Sequence, residues 1–384
     1  MRGLCSETLA IAMGSRTPVP EWSPQSGPPD ASGGAAPRPT VPPDAWRPEH
    51  DPLWQAAPAP ITARYQVMGI DVCIAANSHR LADAAERAFG YWRAHETDHP
   101  DGCLQVNLFV HEAPEPVTGE GRAPLYRRQR GYFLLTMGGT VAFADRAGRF
   151  ATAFVTPALA ADAEAVQEMI VECLVLYLLG DFGRVPLHAG AVVHRGRCAV
   201  LAGPGGAGKS TLVYACARAG LGVVAEDSIH VEPGGDDVRV RGNPFHLHLL
   251  PDAPRFFPEL RGMSLTKRSS GKTKMRIDLG ARFPGRCVPS ARVAGVLTVG
   301  RAPSTGSRIV TEDRASVVDA LMPRLVHQAS GDASAARHAA ERVAGASFAR
   351  LEVGADPSGA VALIQQWLED RPQGSCRQTS GARK

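Results

Sequence analysis

An α/β fold, with a phosphate-binding core between an N-terminal α+β unit and C-terminal helices, is predicted by three stretches of this 384-residue chain. The first is Gly203-Pro-Gly-Gly-Ala-Gly-Lys-Ser-Thr211, with the apolar run Cys198–Ala202 before it and a helical pattern after it. The second is another short apolar run, Leu221–Ala225, closed by two acids. The third is Val293–Val299, which reads as a buried strand, followed by helical patterns near 315–326, 333–344 and 358–368.

Taken in order, residues 1–60 are rich in Pro, Ala, Gly and Ser, as in Pro18-Val-Pro20 and Pro42-Pro43. Such a segment cannot bury enough apolar surface to offset its ordering entropy, and disorder is expected. Trp22, Trp46 and Trp54 are unusual there, and Trp54 is the candidate to dock on the folded part. Residues 61–180 are expected to form the α+β unit. Tyr65 and Val67, then Ile70, Val72 and Ile74, read as strand broken at Gly69. Leu81, Ala84, Ala85, Ala88, Phe89 and Trp92 fall on one helical face. Leu104–Val110 alternates as a strand, and Gly138-Gly139 between Tyr132–Met137 and Thr140–Ala144 predicts a hairpin. Thr156-Pro157 opens a helix whose stripe is Val166, Met169, Ile170, Cys173, Leu174 and Tyr177. No catalytic cluster stands out in this unit.

Residues 181–370 are expected to form the phosphate-binding unit. Ala191–His194, Arg195-Gly196 and Arg197–Leu201 read as a hairpin that feeds the glycine loop. His230–Glu232 and Val238–Arg241 flank Gly234–Asp237, a second hairpin. Residues 255–290 look irregular, basic and proline-bearing, and Asp356-Pro357 starts the last helix. Residues 371–384 read as a flexible tail.

The loop fits G-x-x-x-x-G-K-[ST], with Gly203, Gly208, Lys209 and Ser210 at the fixed positions. Glycines let backbone N–H groups turn inward around phosphate oxygens, where side chains would collide. Gly203, Pro204, Gly205, Gly206, Ala207, Gly208, Lys209, Ser210 and Thr211 are therefore the expected nucleotide-binding residues. Lys209 supplies positive charge to the β- and γ-phosphates, and the Ser210 hydroxyl can ligate Mg²⁺. The following helix, Lys209–Ala219, points its positive end at the loop.

Glu226 and Asp227 lie 17 and 18 residues after Lys209, at the end of an apolar strand. Adjacent acids can divide the work: one holds Mg²⁺ opposite the serine, and the other orients or deprotonates an acceptor hydroxyl. The expected division gives the metal to Asp227, with Ser210, and the acceptor to Glu226. His188, in Leu187-His-Ala-Gly190, is either a catalytic neighbour of the terminal phosphate or a structural hydrogen-bonder. The basic run Lys267–Arg276 either caps a nucleotide, receives an acidic substrate or is simply solvated. His246 and His248 alternate on a strand-like stretch with no evident partner for a metal.

Composition excludes several classes. Forty-two basic against 38 acidic residues give a net charge of +4, too balanced for a nucleic-acid face. No apolar run approaches the roughly twenty residues that cross a bilayer, so no membrane partner is expected. The first residues, Met1–Met13, are interrupted by Glu7, which argues against a secretory signal. The cysteines are scattered without a C-x-x-C pair, as expected of reduced thiols in a cytoplasmic protein.

Leu187–Gly190, the hairpin, the glycine loop and the closely following acid pair together resemble HPr kinase/phosphorylase. They are most similar to the diverged HPr-kinase-like serine kinases found with bacterial peptide natural products, such as lasso-peptide precursor kinases. The resemblance spans roughly residues 185–300. It implies a core of the HPr kinase and phosphoenolpyruvate carboxykinase type, ATP with Mg²⁺, and transfer to a serine of a peptide or protein, with a homo-oligomer left open. By that match Gly203, Gly208, Lys209 and Ser210 bind phosphate and metal, Glu226 and Asp227 fall on the family's paired aspartates, and His188 falls on its histidine. The stretch that accompanies reversible phosphorolysis is not recognisable in Val240–Phe245, so neither HPr as acceptor nor the reverse reaction is expected. Two other readings of the residues stay open: a nucleotide-dependent switch without transfer, and a carboxykinase-like or small-molecule kinase.

Overall fold

Leu81, Ala84, Ala85, Ala88 and Phe89 lie on one face of the helix His79–Phe89, and all five are buried against a sheet. This is the amphipathic geometry that their spacing predicts. The computed structural model describes residues 57–93, 103–111, 124–129, 131–232, 237–268, 271–319, 321 and 333–370. The expected disorder of residues 1–56, the docking of Trp54 and the tail 371–384 lie outside the described residues. The fold is α/β, with mixed sheets and helices.

Among the described residues the strands form three sheets. The first contains β1 (Ile61–Val67), β2 (Ile70–Ala76), β3 (Leu104–Val110), β4 (Leu125–Gln129), β5 (Tyr132–Met137), β6 (Thr140–Asp145) and β7 (Phe150–Val155), in the order β1-β2-β3-β7-β6-β5-β4. The hairpin expected at Gly138-Gly139 joins β5 to β6, and β4 and β7 are further strands of the same sheet. The helical stretch after Thr156 is broken into Pro157–Ala160 and Ala163–Ala165, then winds as a π-helix over Val166–Glu172 and as an α-helix over Cys173–Leu179. The expected stripe faces the core, with Val166, Met169, Ile170, Leu174 and Tyr177 buried.

The second sheet follows from β8 (Val185–Leu187), β9 (Gly190–His194), β10 (Arg197–Ala202), β11 (Gly222–Ala225), β12 (Ile229–Glu232) and β13 (Arg239–Gly242). The chain then leaves it for a small sheet of β14 (His246–Leu249), β15 (Leu265–Lys267) and β16 (Thr273–Asp278), ordered β14-β16-β15. Two of its strands, β15 and β16, lie within the segment 255–290 expected to be irregular. The chain returns as β17 (Ser290–Arg301), β18 (Arg308–Val310) and β19 (Phe348–Val353). The second sheet runs β11-β9-β10-β17-β13-β12-β8, with β19 beside β17 and β18 beside β19.

Both faces of the second sheet are covered, which is why β10 is apolar along nearly its whole length. The helices Lys209–Arg218 and Pro357–Glu369 and the small sheet enclose one core around Leu201, Leu212, Leu297 and Ile364. Val317, Val318, Leu321 and the helix Ala333–Ala346 cover the opposite face over Val200, Val224 and Val296. The helix expected near 315–326 is present over 314–319, with most of its remainder outside the described residues. No helix among the described residues is long and apolar enough to cross a membrane. All three sheets lie in the unit that starts at Ala59.

Gly295 of β17 is enclosed on one side by the last helix. A Cβ there would meet Trp367 Cη2 at 2.5 Å and the Ser347 carbonyl oxygen at 2.6 Å. Overpacking of this kind destabilises by about 1–3 kcal/mol, and here the obstacle includes backbone. Gly295→Ala is expected to lower the denaturation midpoint accordingly. A midpoint equal to wild type would mean that the helix Pro357–Glu369 yields freely.

Candidate functional site

The glycine loop joins β10 to the helix Lys209–Arg218, as its flanks predict. Gly206 and Gly208 have φ of +82° and +94°, the left-handed region that L side chains rarely adopt. A Cβ on Gly205, Gly206 or Gly208 would meet nothing within 4 Å, so these residues border open space. Gly203 is a glycine for a different reason: its Cβ would come within 2.7 Å of the Val299 carbonyl oxygen on β17. Pro204, Gly205, Gly206 and Gly208 are exposed, Ala207 is buried, and Thr211 is half-buried. The ten-residue helix presents its unpaired N–H groups and positive dipole end to the same opening.

Lys209 is buried, and its ammonium donates to the carbonyl oxygens of Gly203 at 2.9 Å and Pro204 at 3.4 Å. The cation is thus held against the loop's own backbone. The Ser210 hydroxyl donates to Glu226 Oε1. The sequence reading paired Ser210 with Asp227; in the structure Glu226 faces the serine and Asp227 turns outward. Glu226 is 5 % exposed, whereas the Asp227 carboxylate is 55 % exposed.

The other Glu226 oxygen, Oε2, accepts from the His248 backbone N–H at 3.2 Å, and His248 Nδ1 lies 3.7 Å from it. Burial pushes the Glu226 carboxyl up. The donors from His248 and Ser210 and the charge of Lys274 outweigh that effect and hold it below the usual range. Glu226 is therefore a carboxylate, an acceptor for Ser210 and a hard oxygen donor.

His188 lies between β8 and β9, with Nδ1 3.1 Å from Asp227 Oδ1. Sheet topology makes this pair, since β9 lies beside β11 and delivers His188 next to the residues that follow β11. His188 and Asp227 are both solvent-accessible, in contrast to Glu226.

Sequence reasoning missed His248, whose partners are Glu226 and Arg268. The signal was present in β14: Leu247 and Leu249 are buried, which assigns His246 and His248 to the opposite face. The basic run divides its roles. Arg268 pairs with Glu164 at 3.0 Å and with Glu168, and Arg276 donates to Gln167 Oε1 at 3.1 Å. Both arginines thus bind the broken helix of the N-terminal sheet, while Lys267 and Lys272 are exposed.

The residues present fit an Mg²⁺–nucleotide. The open glycine turn has the space and N–H donors for phosphate oxygens. Ser210 and Glu226 offer oxygen ligands of the kind Mg²⁺ takes, and phosphates and waters normally complete its shell. Among the described residues no group of three or more His, Cys, Asp or Glu side chains could hold a metal by itself.

No protein-family model matches the chain, and no curated protein matches it. Among solved structures, the HPr(Ser) kinase/phosphatase from Coxiella burnetii matches at 11 % identity over 48 % of this chain and 93 % of that one, with a TM-score of 0.28. A likeness this slight assigns neither fold nor activity.

One buried histidine stands apart from these groups. His230 on β12 is 1 % exposed, and its Nδ1 has no hydrogen-bond partner among the described residues. Burial, with the nearby Arg184 charge, pushes its pKa down from 6.5 to about 4. Between those values the unfolded chain binds a proton that the folded chain does not, so stability falls as pH drops from 6.5 toward 4. The loss from this group is roughly 2 kcal/mol at pH 5. Melting temperatures at pH 7 and pH 5 should therefore differ less in His230→Gln than in wild type. An equal difference in both proteins would contradict the assignment.

Proposed function

We propose that the protein is an ATP-dependent kinase that transfers the γ-phosphate to a hydroxyl, a serine of a peptide or protein. The observation that carries this reading is the pair of unlike acids beside the glycine loop. Glu226 is buried on Ser210, and Asp227 is exposed on His188. A binding module needs the first arrangement. A transferase needs the second as well, because the acceptor must lose a proton in reach of solvent and substrate. The serine acceptor rests on the resemblance of Leu187–Gly190, the loop and the acids to HPr-kinase-like enzymes.

In this reading the loop N–H groups and Lys209 bind the β- and γ-phosphates, with Lys209 leaving its carbonyl partners to do so. Ser210 and Glu226 would hold Mg²⁺, which when bound neutralises phosphate charge. Asp227 accepts the proton of the acceptor hydroxyl. That oxygen forms its bond to the γ-phosphorus as the bond from phosphorus to the β-phosphate oxygen breaks, and ADP leaves. His188 fixes the direction of the Asp227 carboxylate. The two acids thus take the roles opposite to those the sequence suggested.

Two predictions test this. Lys209→Ala is expected to abolish most ATP·Mg²⁺ binding by calorimetric titration, and unchanged affinity would count against the loop. The acids should fail differently. Glu226→Gln is expected to weaken Mg²⁺-dependent nucleotide binding, whereas Asp227→Asn should bind normally and transfer about a hundredfold more slowly. The measurement is single-turnover transfer of label from γ-labelled ATP to serine peptides. Tight ATP·Mg²⁺ binding by wild type with no transfer to any peptide hydroxyl would favour a switch over a kinase.

A further inference from the structure

We infer that His248 is a positioning residue for the Glu226 carboxylate, and that Arg268 and the π-helix of the N-terminal sheet hold it in that role. The inference rests on the reading of Ser210 and Glu226 as the Mg²⁺ side of a nucleotide site. It adds that residues far from the phosphates set how well that side works.

The two carboxylate oxygens of Glu226 have separate partners: Oε1 takes the Ser210 hydroxyl, and Oε2 faces the backbone N–H and ring of His248. When Ser210 turns its oxygen to a cation, Oε1 loses its donor. The Oε2 contacts do not depend on that event, so they can keep the carboxylate in one orientation before and after.

The ring's tautomer follows from its other neighbour. His248 Nε2 faces Arg268 Nη1, and a guanidinium nitrogen can only donate. Nε2 must therefore accept, which assigns the imidazole hydrogen to Nδ1, the atom 3.7 Å from Glu226 Oε2. That separation is longer than a direct hydrogen bond, so the ring contributes an oriented N–H dipole beside the firm backbone donor. The opposite tautomer would aim a lone pair at the carboxylate and an N–H at the guanidinium.

Arg268 is in turn fixed from outside the phosphate-binding sheet. It pairs with Glu164 at 3.0 Å and with Glu168, whose side chains are 11 % and 7 % exposed. Glu168 lies in the π-wound segment Val166–Glu172, beside the buried Gln167 that accepts from Arg276. A π-turn changes the angular phase of the residues after it, and such segments recur at functional sites. Ser210, Glu226, His248, Arg268 and Glu168 therefore form one chain of polar contacts from the loop to the π-wound segment Val166–Glu172.

The test measures ATP affinity of the full chain across a Mg²⁺ series and in chelator. His248→Leu is expected to raise the Mg²⁺ midpoint about tenfold, the lower end of what loss of a residue behind a metal ligand produces. Affinity in chelator should be unchanged. His248→Asn, whose amide can replace the Nδ1 donor, should stay within about threefold of wild type. Arg268→Met, which frees the tautomer, should move the midpoint in the same direction as His248→Leu. If His248→Leu fails to fold, the Asn and Arg268→Met variants carry the test, and an unmoved midpoint in Arg268→Met overturns the inference. So does an unmoved midpoint in a folded His248→Leu, or equal losses in Leu and Asn; in these cases the phosphate-site reading survives. Wild type lacking Mg²⁺-dependent ATP binding would remove that reading and this inference together.

Discussion

A carboxylate taken out of water must be supplied with donors or be neutralised, and Glu226 is such a group. Three separate parts of the chain meet to satisfy it. The loop helix brings Ser210, the small sheet brings the His248 backbone, and Lys274 of β16 adds positive charge. The small sheet thus does more than enclose the core over Leu212 and Leu297. Its apolar face packs, while on its polar face His248 meets Arg268 and Arg276 meets Gln167 of the π-wound segment Val166–Glu172. Removing that sheet would strand a buried charge at the mouth of the glycine loop.

The same turn separates two chemistries within one peptide bond. Glu226 points into the protein and its neighbour Asp227 points out, because successive residues leaving a strand face opposite sides. Gly190 makes this close arrangement feasible: a Cβ there would come within 3.1 Å of the Glu226 carbonyl oxygen and 2.8 Å of Val213. Backbone of β9 therefore passes directly beneath the acid turn, which brings His188 beside Asp227. Burial, exposure and the histidine contact all derive from the pairing of β9 with β11.

Much of this was readable from local pattern. The glycine loop, its strand and its helix are signalled by residues adjacent in sequence, and the β5–β6 hairpin by Gly138-Gly139. What failed to read was set by distant partners. Thr273–Asp278 carries Met275 and Ile277 on one face, but the charges between them mask a strand whose one arginine, Arg276, is answered by Glu164 and Gln167 more than a hundred residues earlier. β4, Leu-Tyr-Arg-Arg-Gln, is exposed throughout and shows no alternation. The choice between Glu226 and Asp227 as partner of Ser210 turned on parity. The register of β11 against β9 shifts between Val223 and Ala225, and a shift of one residue exchanges the two faces.

The order in which the chain can assemble follows from β10. That strand is hydrogen-bonded in parallel to β17, with Cys198 opposite Val293, so its pairing waits for nearly a hundred further residues. The hairpin that precedes it is fastened later still: Arg197 donates to the Leu368 carbonyl oxygen at 2.7 Å, and His194 meets Glu369 at 2.8 Å. Contacts this distant in sequence close late and slowly. A nascent chain therefore exposes its glycine turn long before that turn has a rigid base. That base is complete only once the helix Pro357–Glu369 has formed and its end meets Arg197 and His194.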